Sequence, residues 1–325
     1  MAPIDRLASI DEFRAPAPVV SGVPLMGRTE WLMLLGLALV WGSAFMFIKV
    51  AVAHFEPLTY VWLRVVMAAA ALVVILRVSG KRLSLPLALW GSVAVLALLN
   101  NIIPFILFGW GQRHIASGLA AILQATTPIW GVLAAHLLTR DERLTPARLI
   151  GVLVGFAGVA VMIGPQLAAD DGDHLLAQIA CLFASFLYAL AGIHARRFKA
   201  QGVGPMELAT AQFVAGAVML APIALWVDQP WNGLTTSLYA WGSVAILALV
   251  CSAIAYIVFF RLIERAGATN SLLVTLLVPP VAIIVGGLAF GEQLGINQLG
   301  GLLLIFAGLA VIDGRLANRL ARLGQ

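Results

Sequence analysis

The sequence predicts an all-α integral membrane protein whose ten transmembrane helices form two inverted five-helix repeats. Three observations predict this fold class: an apolar composition, an uneven distribution of basic residues along the chain, and an internal repeat. Of the 325 residues, 62% are hydrophobic and 11% are charged, and the mean hydropathy is +0.99. Soluble domains carry about a quarter charged residues, so a lipid bilayer is the expected solvent.

Ten apolar stretches approach the roughly 20 residues that a helix needs to cross about 30 Å of hydrocarbon. Residues 1–29 contain charges and several prolines but no long apolar run, which favours a mobile cytoplasmic tail over a signal peptide. The first helix must then act as the insertion signal. The predicted spans cover residues 31–53, 57–78, 86–110, 116–138, 147–165, 174–195, 205–227, 237–260, 268–290 and 296–313.

The basic residues indicate the orientation of these spans. With ten spans and a cytoplasmic N-terminus, seventeen of the twenty Lys and Arg residues fall on the inner side. The outer side receives only Arg113, and Lys49 and Arg64 lie within predicted helices. Positive charge is retained on the cytoplasmic side of membrane proteins, so both termini are expected to be cytoplasmic. The sequence pI of about 9.7 therefore reports topology, and nucleic acid is not an expected partner.

An internal repeat recurs at a spacing of 150 residues. FAGVAV at 156–161 returns as FAGLAV at 306–311, and Glu142 corresponds to Glu292. Because each copy contains five helices, the second copy enters the membrane in the opposite direction, which is a transporter architecture with its substrate site near the midplane. The predicted organisation is a tail over 1–29, a first repeat over 30–166, an outer linker over 167–173, a second repeat over 174–314 and a basic cytoplasmic tail over 315–325.

Four segments resemble the drug/metabolite transporter superfamily, in its EamA-type branch. They are WGSAFMFIKVAV at 41–52, PLTYVWLRVVMAAAAL at 57–72, TPIWGVLAAHLLTRDERLTPARLIGVLVGFAGVAVMI at 127–163, and VPPVAIIVGGLAFGEQLGINQLGGLLLIFAGLAVI at 278–312. The resemblance covers nearly the whole chain from residue 28. It implies two five-helix halves and export of amino acids or other small metabolites across a bacterial inner membrane, with the aromatic amino-acid exporters as a plausible neighbouring group. It leaves the substrate open.

Prolines within the fourth and ninth spans point to the substrate path. A proline removes a backbone donor and costs roughly 3 kcal/mol in a helix interior, which a membrane helix tolerates where the freed groups face protein or water. Gln124, Thr126 and Thr127 precede Pro128, and Thr275 precedes Pro279. We expect both helices to kink beside a central polar cavity, although the same residues are also compatible with simple helix packing.

Other residues complete the predicted site. Polar side chains deep in a membrane are expected to face a cavity or to bond a neighbouring helix, and Trp41 offers a stacking surface. The expected substrate-binding residues are Trp41, Arg64, Asn101, Gln124, Thr127, Pro128, Tyr188, Ser252, Tyr256, Thr275 and Pro279. No catalytic residue, metal site or cofactor is expected.

The two intramembrane basic residues have open roles. Lys49 lies near the outer end of its span, from which its side chain can snorkel to the headgroups. Arg64 lies about 10 Å deep, where an Arg costs roughly 2.5 to 3.5 kcal/mol unless it finds a partner. It either binds a substrate carboxylate, or acts in a gate, or bonds backbone carbonyls in a structural role.

Acidic residues are absent from the membrane interior: all fifteen Asp and Glu fall in tails, loops or helix ends. Proton-coupled exchange commonly uses an intramembrane carboxylate, so movement down a gradient is expected. Glu142 and Glu292 are expected to brace helix ends. Gly151 and Gly155 form a small-residue pair that packs helices within one protomer or joins a homodimer.

These features predict a secondary carrier that exports amino acids or similar small amphipathic metabolites by alternating access, with the lipid bilayer and a small-molecule substrate as partners. One alternative is an exchanger of phosphorylated metabolites or nucleotide sugars, which favours several converging cations. A lipid flippase or scramblase and a membrane enzyme are alternatives of another class, and none of the common metal, nucleophile or phosphate-loop motifs occurs in the chain.

Overall fold

The computed structural model describes residues 26–139, 144–168, 172–233, 237–271 and 273–313. Within these ranges the regular structure is entirely helical, and we number the ten spans α1 to α10. Their bounds are α1 Arg28–Val52, α2 Pro57–Val78, α3 Leu87–His114, α4 Ser117–Leu138, α5 Pro146–Ala168, α6 Gly172–Ala200, α7 Pro205–Val227, α8 Leu238–Ala266, α9 Ala268–Phe290 and α10 Ile296–Asp313.

The helices agree with the predicted spans in order and approximate position. Eight described spans are long and apolar enough to cross a membrane, and Val274–Phe290 and Ile296–Ile312 are shorter apolar helices. The largest differences are at polar ends, where α6 continues to Ala200 and α8 to Ala266. The C-terminal tail, Glu142, residues 1–25 of the N-terminal tail and residues 169–171 of the outer linker lie outside the described residues.

Helices α5 and α10 carry the duplicated FAG motif and pack against each other. A Cβ atom on Gly151 would lie 2.6 Å from the carbonyl oxygen of Gly308, and one on Gly158 would lie 2.6 Å from that of Gly301. The contact partners advance along α5 while they retreat along α10, so the two copies run antiparallel, as an inverted repeat requires. Glycine allows backbones this close, and Gly151 therefore serves packing within the protomer.

Two spans are interrupted near the middle of the bundle. The fourth consists of α4a, Ser117–Gln124, and α4b, Thr127–Leu138. The ninth consists of α9a, Ala268–Ser271, and α9b, Val274–Phe290. The interruption in α4 directly precedes Pro128, as predicted. The interruption in α9 comes before Val274, whereas Pro279 and Pro280 lie inside α9b; the kink at Pro279 stays a prediction.

Local polar bonds explain where α9 breaks. The side chains of Asn270 and Ser271 donate to the carbonyl oxygens of Ala266 and Gly267 at 3.0 and 2.9 Å. Such side chains offer the backbone an alternative to continued helical bonding. Gly267 itself has a φ of 81°, a conformation that glycine adopts readily, and it separates α8 from α9a.

Candidate functional site

A cavity of about 300 Å³ lies in the middle of the bundle, with walls from both repeats. Aromatic rings and aliphatic side chains make up most of its surface, and Arg64 is its one charged lining residue among those the structure describes. The lining residues are Trp41, Ala44, Phe45, Ile48, Arg64, Asn100, Phe105, Phe108, Ala121, Gln124, Ala125, Thr127, Tyr188, Cys251, Tyr256, Phe259, Thr275 and Val278.

The broken helix α4 brings Gln124 and Thr127 to this cavity. Pro128 has no N–H to give to the carbonyl oxygen of Gln124, four residues earlier. The hydroxyl of Thr127 donates to that oxygen instead, at 2.7 Å, and the hydroxyl of Thr126 donates to the oxygen of Leu123 at 2.6 Å. The bond from Thr127 removes the penalty of a bare carbonyl in the membrane.

Matching π-helical segments occur in α3 and α8. They cover Leu98–Ile102 and Leu249–Ile254, at corresponding places in the two repeats. In the second, the hydroxyl of Ser252 donates to the carbonyl oxygen of Leu247, five residues earlier, at 2.8 Å. A π segment inserts an extra residue into a helical turn and is frequent at functional sites. Here the two segments place Asn100 and Cys251 on the cavity wall.

Arg64 forms part of the cavity wall and contacts the π segment of α8. Its residue is 6% exposed, and its Nε donates to the hydroxyl of Ser252 at 3.3 Å. The guanidinium carbon lies 3.8 Å from the centre of the Phe105 ring, which is a cation–π contact. These partners are a hydroxyl and a ring, whereas the structural role considered from the sequence required backbone carbonyls.

An amide cluster lies beside Arg64. The amide nitrogen of Asn100 is within hydrogen-bonding distance of the side-chain oxygens of Asn101, Gln212 and Tyr256, at 3.2, 3.0 and 3.1 Å. The indole nitrogen of Trp41 donates to the carbonyl oxygen of Cys251 at 3.0 Å. These bonds hold polar groups from both repeats in one place and fix the orientation of the Trp41 ring.

A second polar group joins three elements near the cavity. The ammonium of Lys49 lies 2.6 Å from Oε1 of Glu292. This oxygen also accepts a bond from the backbone N–H of Ser117 at 3.0 Å, while Oε2 accepts from the same N–H at 2.9 Å and from the Ser117 hydroxyl at 2.7 Å. We call Lys49, Ser117 and Glu292 the carboxylate latch. It joins α1, the first turn of α4a and the end of α9b.

The latch is shielded from solvent. The side chain of Glu292 is 10% exposed and that of Lys49 is 30% exposed. Burial by itself raises the pKa of Glu292, but the hydrogen bonds from Lys49 and Ser117 and the charge of Lys49 outweigh it and hold the pKa below its ordinary value. Glu292 is therefore ionised at neutral pH, and it braces a helix end as the sequence predicted. Lys49 pairs with it instead of reaching for headgroups.

The packing differs at the two ends of the cavity. At the latch end, α4a packs on α9b, and a Cβ on Gly286 would lie 2.5 Å from the hydroxyl oxygen of Ser117. Ile48 directly precedes Lys49 in the sequence, and Ala121 lies one helical turn after Ser117. Both residues line the cavity. At the opposite end α4b packs on α6, and α9a packs on α8. The two broken helices thus meet at the latch end.

The match to a known family covers most of the chain. The sequence model of the EamA-like transporter family matches residues 28–164 and again residues 175–313, one match for each repeat. The chain belongs to the EamA-like transporter family. Because this is a family of transporters, the prediction that the chain is not an enzyme is confirmed.

Several relatives of this EamA-like transporter extend over nearly its full length. A probable terminal-alkyne amino-acid exporter of Streptantibioticus cattleyicolor is 27% identical, covering 90% of this chain and 96% of its own. The uncharacterised transporter YoaV of Bacillus subtilis is 24% identical, covering 85% and 94%. The uncharacterised inner membrane transporter YedA of Escherichia coli is 27% identical, covering 90% and 92%.

A solved crystal structure has the same fold as this EamA-like transporter. It aligns with a TM-score of 0.62 at 18% sequence identity, and the alignment covers 87% of this chain and 96% of the other. At this identity the likeness speaks for the fold alone. It agrees with the two-repeat architecture described above.

Seven of the eleven predicted site residues line the cavity: Trp41, Arg64, Gln124, Thr127, Tyr188, Tyr256 and Thr275. The other four support that wall from outside the lining. Asn101 and Ser252 are fully buried and bond to Asn100 and Arg64, Pro128 lies in the first turn of α4b, and Pro279 is buried within α9b.

Phe105, Phe108 and Phe259 line the cavity and were missed by the sequence analysis. In an apolar span, a phenylalanine that faces a cavity has the same sequence signature as one that faces lipid. The available signal was Pro104, which precedes Phe105 in α3 and removes a donor just after the π segment.

Proposed function

We propose that this transporter is a secondary carrier that exports amino acids or similar small amphipathic metabolites by alternating access. The observation that carries the proposal is the central cavity, in which one guanidinium stands among aromatic rings at the junction of two inverted repeats. An inverted-repeat carrier binds its substrate at such a junction and rocks the halves around it. The relative from Streptantibioticus cattleyicolor supports the substrate class, because it is named as a probable terminal-alkyne amino-acid exporter.

The size of the cavity favours small substrates. Ligand sites commonly span about 300 to 1,000 Å³, and this cavity, at about 300 Å³, is at the lower end. A single amino acid fits this volume, whereas a nucleotide sugar does not. Phosphate recognition also favours several cations, and Arg64 is the one cation in the described lining. Both observations weigh against the exchanger of phosphorylated metabolites.

The conformation is consistent with one state of an alternating cycle. The latch and the contact between α4a and α9b hold the two repeats together at one end, while α4b and α9a pack on other helices. For substrate to leave through the latch end, the contacts of Glu292 must break. The homodimer remains an expectation that rests on no described contact, since Gly151 and Gly155 pack against Gly308 and Ile129 of the same protomer.

We propose a cytoplasmic location for both termini in a bacterial inner membrane, which puts the latch on the outer face. A cysteine beside Asp228 should then react with an impermeant maleimide from outside, whereas one beside Lys81 should not. The native Cys181 and Cys251 are buried and provide little background. Labelling in the reverse pattern contradicts the orientation without affecting the fold.

A flux assay in proteoliposomes tests the function. The panel contains amino acids, sugar phosphates and organic cations, each with and without an imposed proton gradient. Amino acids or related amphipathic compounds should equilibrate without the gradient, because the membrane interior has no carboxylate to carry a proton. Strict dependence on the gradient contradicts the facilitator mechanism, and flux of sugar phosphates alone contradicts the substrate class.

A further inference from the structure

Arg64 gives the cavity a positive charge for which the described residues provide no counterion. Among the described ion pairs none includes Arg64, and all acidic residues of the chain lie in tails, loops or helix ends. Its Nε donates to the hydroxyl of Ser252, the hydroxyl of Tyr60 is a further hydrogen-bond partner, and the guanidinium forms part of the cavity wall. A buried charge without a counterion is costly, so the cavity provides a strong site for one anionic group.

The geometry of the Arg64 guanidinium favours a carboxylate as the anionic group. A guanidinium presents a planar fork of donors that matches the two oxygens of a carboxylate. The Phe105 ring covers one face at 3.8 Å and Ser252 holds Nε, so the fork is fixed before a ligand arrives. A phosphate dianion, by contrast, would keep an uncompensated charge beside a single cation.

The rest of the cavity suits a compact apolar or aromatic body. The Trp41 ring lies 5.2 Å from that of Phe259 and 6.4 Å from that of Tyr256, and Phe108 stacks on Tyr188 at 6.0 Å, measured between ring centres. Edge-to-face and stacked contacts with a ligand ring are favourable at such spacings. The cavity volume restricts that body to about one ring or an equivalent aliphatic chain.

An ammonium group finds no carboxylate in the same space. No acidic side chain belongs to the described lining, and the oxygens of Asn101, Gln212 and Tyr256 already face the amide of Asn100. A ligand cation would also repel Arg64 in a medium of low dielectric constant. The chemistry of the walls therefore discriminates by charge as well as by size.

We propose that the cavity selects monocarboxylates with one compact apolar or aromatic body, that Arg64 binds the carboxylate, and that an α-ammonium group is not required. This inference rests on the proposed carrier function and specifies what the substrate site recognises. Amino acids are recognised by their carboxylate, and organic acids without an amino group bind equally well.

Five probes that share a phenyl ring test the inference by isothermal titration of the purified full chain. They are 3-phenylpropionate, phenylalanine, 3-phenylpropanamide, phenethylamine and phenyl phosphate. The propionate should bind at least as tightly as phenylalanine, and the amide and the amine should each bind about 10- to 100-fold more weakly, the usual value of a hydrogen-bonded charge pair. Phenyl phosphate should bind more weakly than the propionate.

Variants of α2 separate the role of Arg64 from general effects of charge. Arg64→Gln should lower the affinity for 3-phenylpropionate about 10- to 100-fold and leave the affinity for the amide unchanged. The affinity of Arg64→Lys for the propionate should lie between those of the native chain and Arg64→Gln, because an ammonium lacks the planar fork of donors. Arg77→Gln removes the same charge from the exposed end of the same helix and should leave every affinity unchanged. Monodispersity on size-exclusion chromatography verifies the fold of each variant.

Each contrary result has a distinct meaning. Equal affinity for phenethylamine and the propionate overturns the inference, as does an Arg64→Gln variant that retains the propionate. Tighter binding of phenyl phosphate overturns the assignment to carboxylates. If none of the five binds, the inference fails, whereas the carrier function is decided separately by the flux panel, which contains other substrate classes.

Discussion

Lys49 and Arg64 are both basic residues within spans, but their charges are compensated differently. Lys49 has a carboxylate at 2.6 Å, and that carboxylate also receives the free N–H groups at the start of α4a. The N-terminal end of a helix attracts negative charge, so Glu292 satisfies two positive partners at once. Arg64 has a hydroxyl and an aromatic ring as neighbours. Its charge is left available for a ligand.

The latch should be measurable as a coupled pair in detergent-solubilised protein. Lys49→Met and Glu292→Gln should each lower stability by about 1–3 kcal/mol, the usual cost of leaving buried polar groups unpaired. Their combination should cost less than the sum, because either change already breaks the ion pair. Thermal unfolding of the four proteins gives the coupling, and effects that add within about 0.5 kcal/mol contradict a direct interaction.

The pH dependence of the latch follows from the lowered pKa of Glu292. Since the folded pKa lies below the ordinary value of about 4.3, the carboxylate contributes its full stabilisation above that pH and loses it as the pH falls through the folded value. The difference in unfolding temperature between the native chain and Glu292→Gln should therefore be largest near neutral pH and should shrink below about pH 4. A constant difference across this range assigns the effect of the variant to packing.

At the scale of elements, interrupted helices give the cavity its polar character. The break in α4 exposes Gln124 and Thr127 to the cavity, while the hydroxyls of Thr126 and Thr127 satisfy the carbonyls that the break leaves free. The π segments in α3 and α8 likewise expose Asn100 and Cys251 to the cavity. Backbone irregularity is tolerated in membranes where it lines a cavity.

Restoring a regular helix should impair transport more than stability. Pro128→Ala and Pro279→Ala each return a backbone donor, so unfolding temperatures should be unchanged or higher. Flux should fall by about tenfold or more if the rocking halves depend on these helices, as carriers with broken helices do. Pro222→Ala is the matched control, because Pro222 lies within α7 on its exposed face and should leave flux unchanged.

Bulk at the cavity wall should block the path. Thr127→Trp and Thr275→Trp should each reduce flux at least tenfold, because an indole fills much of a cavity near the lower limit for ligand sites. Val218→Trp adds the same bulk at an exposed position of α7 and should transport normally. Normal flux in both threonine variants and both proline variants would show that these residues only pack helices.

For the whole molecule, the two repeats meet along α5 and α10 and again at the latch. The α5 and α10 contact pairs Gly151 with Gly308 and Gly158 with Gly301, which relates the halves by an approximate two-fold axis. The broken helices α4a and α9b contact each other at the latch, whereas α4b packs on α6 and α9a on α8. An exporter must reverse that asymmetry during each cycle.

A disulfide at the latch end should stop the cycle. Ser117→Cys and Gly286→Cys together place two sulfurs at the contact between α4a and α9b, where a Cβ on Gly286 would lie 2.5 Å from the Ser117 hydroxyl oxygen and 2.5 Å from Oε2 of Glu292. The oxidised double variant should lose flux, and a reductant should restore it to the level before oxidation. Each single variant serves as a control that oxidation should not affect. Full flux through the cross-linked protein contradicts opening at the latch end.

The sequence alone determined the solvent, the number and order of the spans, and the inverted repeat. Apolar segments of sufficient length must form helices in lipid, because no other open structure satisfies its backbone there. The same reasoning located seven of the lining residues, since polar groups such as Gln124 and Tyr188 are unfavourable against lipid. These predictions depend only on local composition and on the bilayer.

Only the tertiary structure decided which groups meet across the bundle. It paired Lys49 with Glu292, which lie 243 residues apart, placed Arg64 against Phe105 and Ser252, and brought Phe108 and Phe259 to the cavity. It also showed a break in α9 before Val274, ahead of Pro279. In an apolar helix every face has a similar composition, so the sequence does not distinguish the face that meets lipid from the one that meets another helix; packing between helices decides that.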